Sequence, residues 1–149
     1  MRVSLENLAR IGQLVEHEAD KNQAQKMMQA AERFIADARQ ESVSKETRFD
    51  AAYKACMQYA MLALHANGYR PPKSKPGHHQ TTIQSLVHSI RFHHDEMLLL
   101  NTFRVKRNAV DYTGELVDEG SVTECIEAAT RLQEALVSWL KDNRPELLG

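Results

Sequence analysis

Six side chains near the middle of the chain are the ones whose types and spacing could bind or move charge: Arg104, Lys106, Arg107, Asn108, Asp111 and Tyr112. At 3.6 residues per turn, Leu99, Leu100, Phe103 and Val110 share one helix face, and Arg107 falls inside it. A guanidinium aimed at an apolar stripe is costly unless an anion meets it. Asp111, one turn on, is the nearest carboxylate. Two readings follow from the spacing. Either an Arg107–Asp111 pair fixes the end of a helix, or a cation, an amide, a carboxylate and a phenol converge there to hold an anion.

Other chemistries find less support. His78-His79 and His93-His94 are adjacent pairs, and neighbours on a helix point about 100° apart. The i, i+4 spacing of a helical zinc site is missing, so no metal site and no cofactor is expected. His79 is expected at a helix amino terminus, where the dipole favours the neutral ring. Ser85, Ser121 and Ser138 lack nucleophile motifs. Cys56 and Cys125 fall on apolar faces and read as packed, inert thiols. No Gly-rich phosphate loop is present.

The elements that must position these residues read as helices throughout. A chain of 149 residues with 42% hydrophobic and 26% charged side chains fits one globular domain, 1–149, with a full core. Low Gly and Pro content favours an all-α fold. Ser4 caps a short first helix with Leu5, Leu8, Ile11 and Val15 on its apolar side. Asp20 caps a second, with Ala24, Met27, Met28, Ala31, Phe34, Ile35 and Ala38 at helical spacing. Ser44 caps a third, with Glu46 well placed in its first turn. This third helix is apolar nearly all round towards its end, so it should be the most buried, and Asn67-Gly68 stops it. Tyr69 to Gln80 reads as a basic loop carrying Arg70, Lys73 and Lys75, either a solvated connector or a strap over an anion.

Thr81-Thr-Ile-Gln84 and Ser121-Val-Thr-Glu124 read as capping boxes. Ile83, Leu86, Val87 and Ile90 then form one stripe, Asp95 caps the helix that carries Arg107, and Tyr112 to Gly120 is a loop. A long last helix turns Val122, Cys125, Ile126, Ala129, Leu132, Leu136 and Leu140 inward. No strand alternation occurs. The architecture expected is an up-and-down four-helix bundle with one or two extra short helices. The net charge of −1 gives no bulk attraction to nucleic acid or lipid. No apolar run approaches the ~20 residues of a membrane span, and no signal peptide opens the chain. A cytoplasmic protein is expected.

Three short stretches together resemble a family. They are Glu46-Thr-Arg-Phe-Asp-Ala-Ala-Tyr-Lys-Ala55, Gly77-His-His-Gln80 and Arg107-Asn-Ala-Val-Asp-Tyr-Thr-Gly114. In an all-α chain these resemble the HEPN domain, and more closely a group of small bacterial HEPN-like proteins. The family signature is an Arg, often followed by Asn, then four to six residues and a His. The resemblance implies RNA as ligand, metal-independent endoribonuclease activity, and a role as a toxin or phage-defence component, with an antitoxin or defence protein as partner. It also implies a homodimer with two copies of the motif facing across a cleft. Arg107 would hold the scissile phosphate, with Asn108 and Asp111 orienting the reacting groups. At the His position stands Tyr112, whose phenol is a poor base at neutral pH but can donate to a phosphate. His79, His93 and His94 are the imidazoles that folding or pairing would have to bring to it. Arg104, Lys106, Arg70, Lys73 and Lys75, with His79, would supply the nucleic-acid contacts. The alternative is a catalytically inactive bundle that binds a protein, DNA or a nucleotide.

Overall fold

Helix α3 (Lys45–Ala66) forms the axis of the structure, and its sequence dictates that place. Its apolar residues run nearly all round towards the carboxyl end and leave only a narrow polar edge at Thr47, Asp50, Lys54 and Gln58, so most of the helix must be covered. Phe49, Tyr53, Cys56, Tyr59, Leu62 and Leu64 are all buried, as are the alanines between them. The computed structural model describes residues 4–73 and 77–149 and is an all-α helical bundle. Around α3 pack α2 (Lys21–Ala38), α6 (His94–Thr113) and α7 (Glu119–Asn143). These are the four long helices the periodicity predicts. Among the described residues, no helix is long and apolar enough to cross a membrane.

The caps at Ser4, Asp20 and Ser44 are present, each side chain accepting from the backbone N–H three residues on. At the carboxyl end of α3, Asn67 is the cap and Gly68 takes the left-handed turn at φ +87°. His65, just inside that end, is buried, and its Nε2 lies 2.9 Å from the Asp20 N–H.

Several short-range expectations are corrected. Helix α1 stops at Arg10, Ile11 is exposed, and Val15 belongs to a two-residue strand, β1 (Val15–Glu16). That strand pairs antiparallel with β2 (Tyr69–Arg70), so the basic segment begins as a strand rather than a loop. Thr81 is no cap, because Gly77, at φ +80°, turns the chain early and α4 spans His78–Gln84. Thr81 Oγ1 instead donates to Gln13 Oε1, and Thr82 Oγ1 donates back to the His78 carbonyl at 2.7 Å. The stripe from Ile83 to Ile90 is broken at Ser85 into α4 and a single turn, α5 (Leu86–Ser89). Helix α6 is capped by His93 Nδ1, which accepts from Asp95 N, and not by Asp95. It runs through Tyr112 to Thr113, where Gly114 ends it at φ +70°.

Helix α7 opens three residues before the second capping box. The Asp118 carboxylate accepts from the Ser121 N–H at 2.7 Å; hydrogen bonding from the Ser121 side chain, and then from its backbone, holds its carboxyl below the usual carboxylate range. A final 3-10 turn, Pro145–Leu148, folds Leu147 back onto the core. Cys56 and Cys125 are unpaired and buried. A hydrogen bond donated by the Cys125 thiol to Cys56, followed by burial, pushes that thiol's pKa up and keeps it protonated.

Candidate functional site

Helix α6 carries Arg107 on its buried face near its carboxyl end. Phe103, one turn earlier, fixes that face by packing edge-on against Phe49 of α3, with ring centroids 6.0 Å apart. Arg107 therefore meets α3 one turn beyond Phe49, where Asp50 and Tyr53 project. Its Nε lies 3.2 Å from Asp50 Oδ1 and 3.1 Å from Asp111 Oδ2. Its guanidinium carbon stands 5.7 Å from the centre of the Tyr53 ring. The Arg107 side chain keeps 26% of its surface exposed. Among the described residues, its hydrogen bond to protein leaves from Nε and not from the two Nη groups.

Tyr53 links this cation to a third helix. Its hydroxyl lies 3.2 Å from Nδ1 of His79, which the early start of α4 places in that helix's first turn. Burial pushes the Tyr53 phenol up, against a smaller downward pull from Arg107 and Arg104. The hydroxyl thus stays protonated at neutral pH. Burial, then His78, Arg107 and Arg104, lowers the His79 pKa below its ordinary value near 6.5. The ring is neutral at pH 7, and donation from Nδ1–H to the tyrosine oxygen would leave Nε2 as a free base. Arg104, held by its Nε to Asn101 Oδ1 at 2.9 Å, contributes to the field at both groups. Lys54 pairs with Asp50 at 3.1 Å. Arg104, Arg107 and Lys54 thus stand against Asp50 and Asp111, which leaves the cluster net positive.

The other residues singled out from the sequence lie elsewhere. Asn108 is half-buried beside Arg107. Tyr112 is 86% exposed and packs against nothing in the turn. The charge of Lys106 is felt at Asp118, the cap of α7, and is not among the causes of the shifts at Tyr53 and His79. Arg70 and Lys73 line a separate cleft of about 820 Å³ whose wall includes His78. Lys75 lies outside the described residues. His93 and His94 sit at the opposite end of α6 from Arg107, about 20 Å away at 1.5 Å per residue.

Asp50 and Tyr53 were not singled out as site residues. The signal was a carboxylate between Phe49 and Ala51 on the most buried helix, inside one of the three stretches that carry the family resemblance. The outer face of α6 adds a second feature. Leu98, Val105 and Tyr112, seven residues apart, are all exposed, as is Leu116 beyond the helix. Nine residues separate Leu98 from Arg107, so this stripe lies on the side of α6 opposite the guanidinium. Comparison with family models, with curated proteins and with solved structures found no match.

Proposed function

We propose that this chain is a HEPN-type RNA-binding protein that cuts RNA without a metal at the Arg107 cluster. One observation carries the reading: buried Tyr53 joins Arg107 and His79, which both keep some exposure, so that side chains from three different helices meet at one place. Arg107 binds the scissile phosphate through its Nη groups, and Arg104 adds charge. His79 Nε2 takes the proton of the ribose 2′-hydroxyl. The 2′-oxygen attacks phosphorus, the bond to the 5′-oxygen breaks, and a 2′,3′-cyclic phosphate forms. The leaving oxygen is protonated by imidazolium or by water. This role needs the tautomer in which His79 Nδ1–H donates to the Tyr53 oxygen 3.2 Å away. His79 thereby takes the part that the family signature gives to the position of Tyr112.

The cluster is assembled within one protomer. The α6 stripe supports a homodimer, since a repeat of seven suits helix-on-helix packing. In such a pair the two Arg107 sites would lie on the outside and not across a shared cleft.

A second reading rests on the two carboxylates at Arg107 Nε. In it the cluster is an ion-pair network that ties α3 to α6, and the stripe takes a protein partner such as an antitoxin or defence component. Incubation of purified protein with RNA in EDTA separates the two. Cleavage that Arg107→Ala and His79→Ala each abolish, with His93→Ala and His94→Ala unaffected, supports the first. Absence of both binding and cleavage in the wild-type protein overturns it.

A further inference from the structure

We infer that the cleft beside β2 is a base-binding subsite for an unpaired nucleotide next to the phosphate held at Arg107, so that the protein takes single-stranded and not duplex nucleic acid. The inference rests on the function proposed above and names the form of substrate that site accepts. Its first support is continuity. His78 lines the cleft, and its ring meets that of His79 edge-on at 4.6 Å. His79 in turn bonds Tyr53, over which Arg107 sits. The cleft and the cationic cluster are thus the two sides of one His-His step, and a strand of a few nucleotides would span them.

The second support is the lining. A volume of about 820 Å³ lies within the usual range for small-molecule sites. Met27 and Met61 supply apolar surface, and Tyr69 and His78 supply ring faces. Unpaired bases are held by stacking on such rings. Arg70 and Lys73 also line the cleft and are suited to the strand's phosphates. Glu18 stands in the same wall, where a simple anion site would not have it. A carboxylate there accepts from the exocyclic amino group of adenine, cytosine or guanine, which uracil lacks. A metal site is the competing use of His17, His65, Glu18 and Asp20. Among the described residues, however, no three His, Cys, Asp or Glu side chains lie close enough to share an ion. His65 Nε2 is moreover already engaged with the Asp20 backbone.

The test uses a labelled mixed-sequence single strand of RNA, 2′-O-methylated so that it cannot be cut, and the same strand annealed to its complement, with fluorescence anisotropy as readout. The wild-type protein should bind the single strand at least about tenfold more tightly than the duplex. Tyr69→Ala should remove about tenfold of single-strand affinity and leave duplex binding nearly unchanged. Tyr69 also packs on Leu5, Leu14 and Leu64, so Arg70→Glu serves as a second variant. A 2-aminopurine beside the cleavage position, whose emission should fall on binding to wild-type protein, serves as a readout free of mutation. A Glu18→Gln variant should lose the preference for oligo(C) over oligo(U). If Arg107→Ala abolishes binding while Arg70→Glu does not weaken it and 2-aminopurine is not quenched, the cleft is no subsite and the Arg107 reading survives. If wild-type protein binds neither strand, both fall.

Discussion

Replacing Arg107 with Ala separates a ligand-binding guanidinium from a structural one, because the two roles differ in magnitude. In the folded protein Arg107 meets Asp50, whose side chain is 32% exposed, and Asp111, which is 43% exposed. Ion pairs this open to water are each worth about 0–1 kcal/mol. The stacking over Tyr53 adds about 0.5–1 kcal/mol. Once Arg107 is gone, Asp50 keeps Lys54 and Asp111 turns to solvent, so no carboxylate is left buried and alone. The loss of stability should therefore be about 3 kcal/mol at most, or roughly 6–12 °C in Tm for a chain of this size. Removing one partner of a buried pair would cost about 3–5 kcal/mol. Urea unfolding gives the first quantity. In parallel, RNA binding should weaken sharply, and the slope of log K against log salt should fall by about 0.7, as for one lost phosphate contact on a single strand. A stability loss above about 3 kcal/mol with unchanged RNA affinity would refute the reasoning, since the guanidinium would then belong to the scaffold.

The folded protein depresses the His79 pKa, so between that value and the ordinary 6.5 the unfolded chain carries the extra proton and stability rises with pH. The contribution is complete above pH 6.5 and is lost as pH falls through the folded value. His79→Gln should flatten that limb of the stability profile, and the acid limb of kcat/KM for RNA cleavage by wild-type protein should lie below pH 6.5. Val105→Asp, in the middle of the exposed α6 stripe, should convert a dimer to a monomer in sedimentation while changing protomer stability by about 0.5 kcal/mol or less; a wild-type protein that is monomeric at high concentration would remove the stripe as a self-association surface. Arg48, buried at the start of α3, donates from Nε to the Ala38 carbonyl at 2.8 Å and from Nη1 to Glu119. Arg48→Met should cost about 2–4 kcal/mol in urea unfolding, since it strands that carbonyl inside the α2–α3 corner.

The long helices were legible because each buries a periodic face, and α3 announced its central place by being apolar nearly all round towards its carboxyl end. The element boundaries were less legible, for a reason the caps make plain. Thr81, Ser121 and Asp95 all have side chains able to cap, yet Gly77, Asp118 and His93 hold those positions. A hydroxyl or carboxylate signals that a cap is possible; where the chain turns decides whether it is used, and a left-handed glycine or an earlier acceptor settles that first. The β1–β2 pair was invisible because two residues give no alternation to detect. At the site, Arg107 stood out as a cation in an apolar stripe. Its partners from other helices did not, since a spacing rule reaches along one helix and Asp50 and Tyr53 lie across an interface.

The early start of α4 bears directly on chemistry. Had Thr81 been the cap, His79 would have lain in a loop before the helix, with no reason to be desolvated or aligned with Tyr53. Gly77 turns the chain so that His78 and His79 enter the first helical turn, where their rings meet edge-on at 4.6 Å. One ring lines the cleft with Arg70 while the other bonds Tyr53. The proposed function uses both: one dipeptide supplies a base to the cationic cluster and a wall to the neighbouring subsite. It also makes Gly77 a positioning residue. An alanine there would meet no atom within 4 Å, so its only penalty is the φ of +80°, about 1 kcal/mol. Gly77→Ala should accordingly leave the bundle folded. If it nonetheless lowers RNA cleavage more than thermal stability, the turn matters through the aim of the two imidazoles. If cleavage and stability fall in proportion, the turn serves only to start the helix.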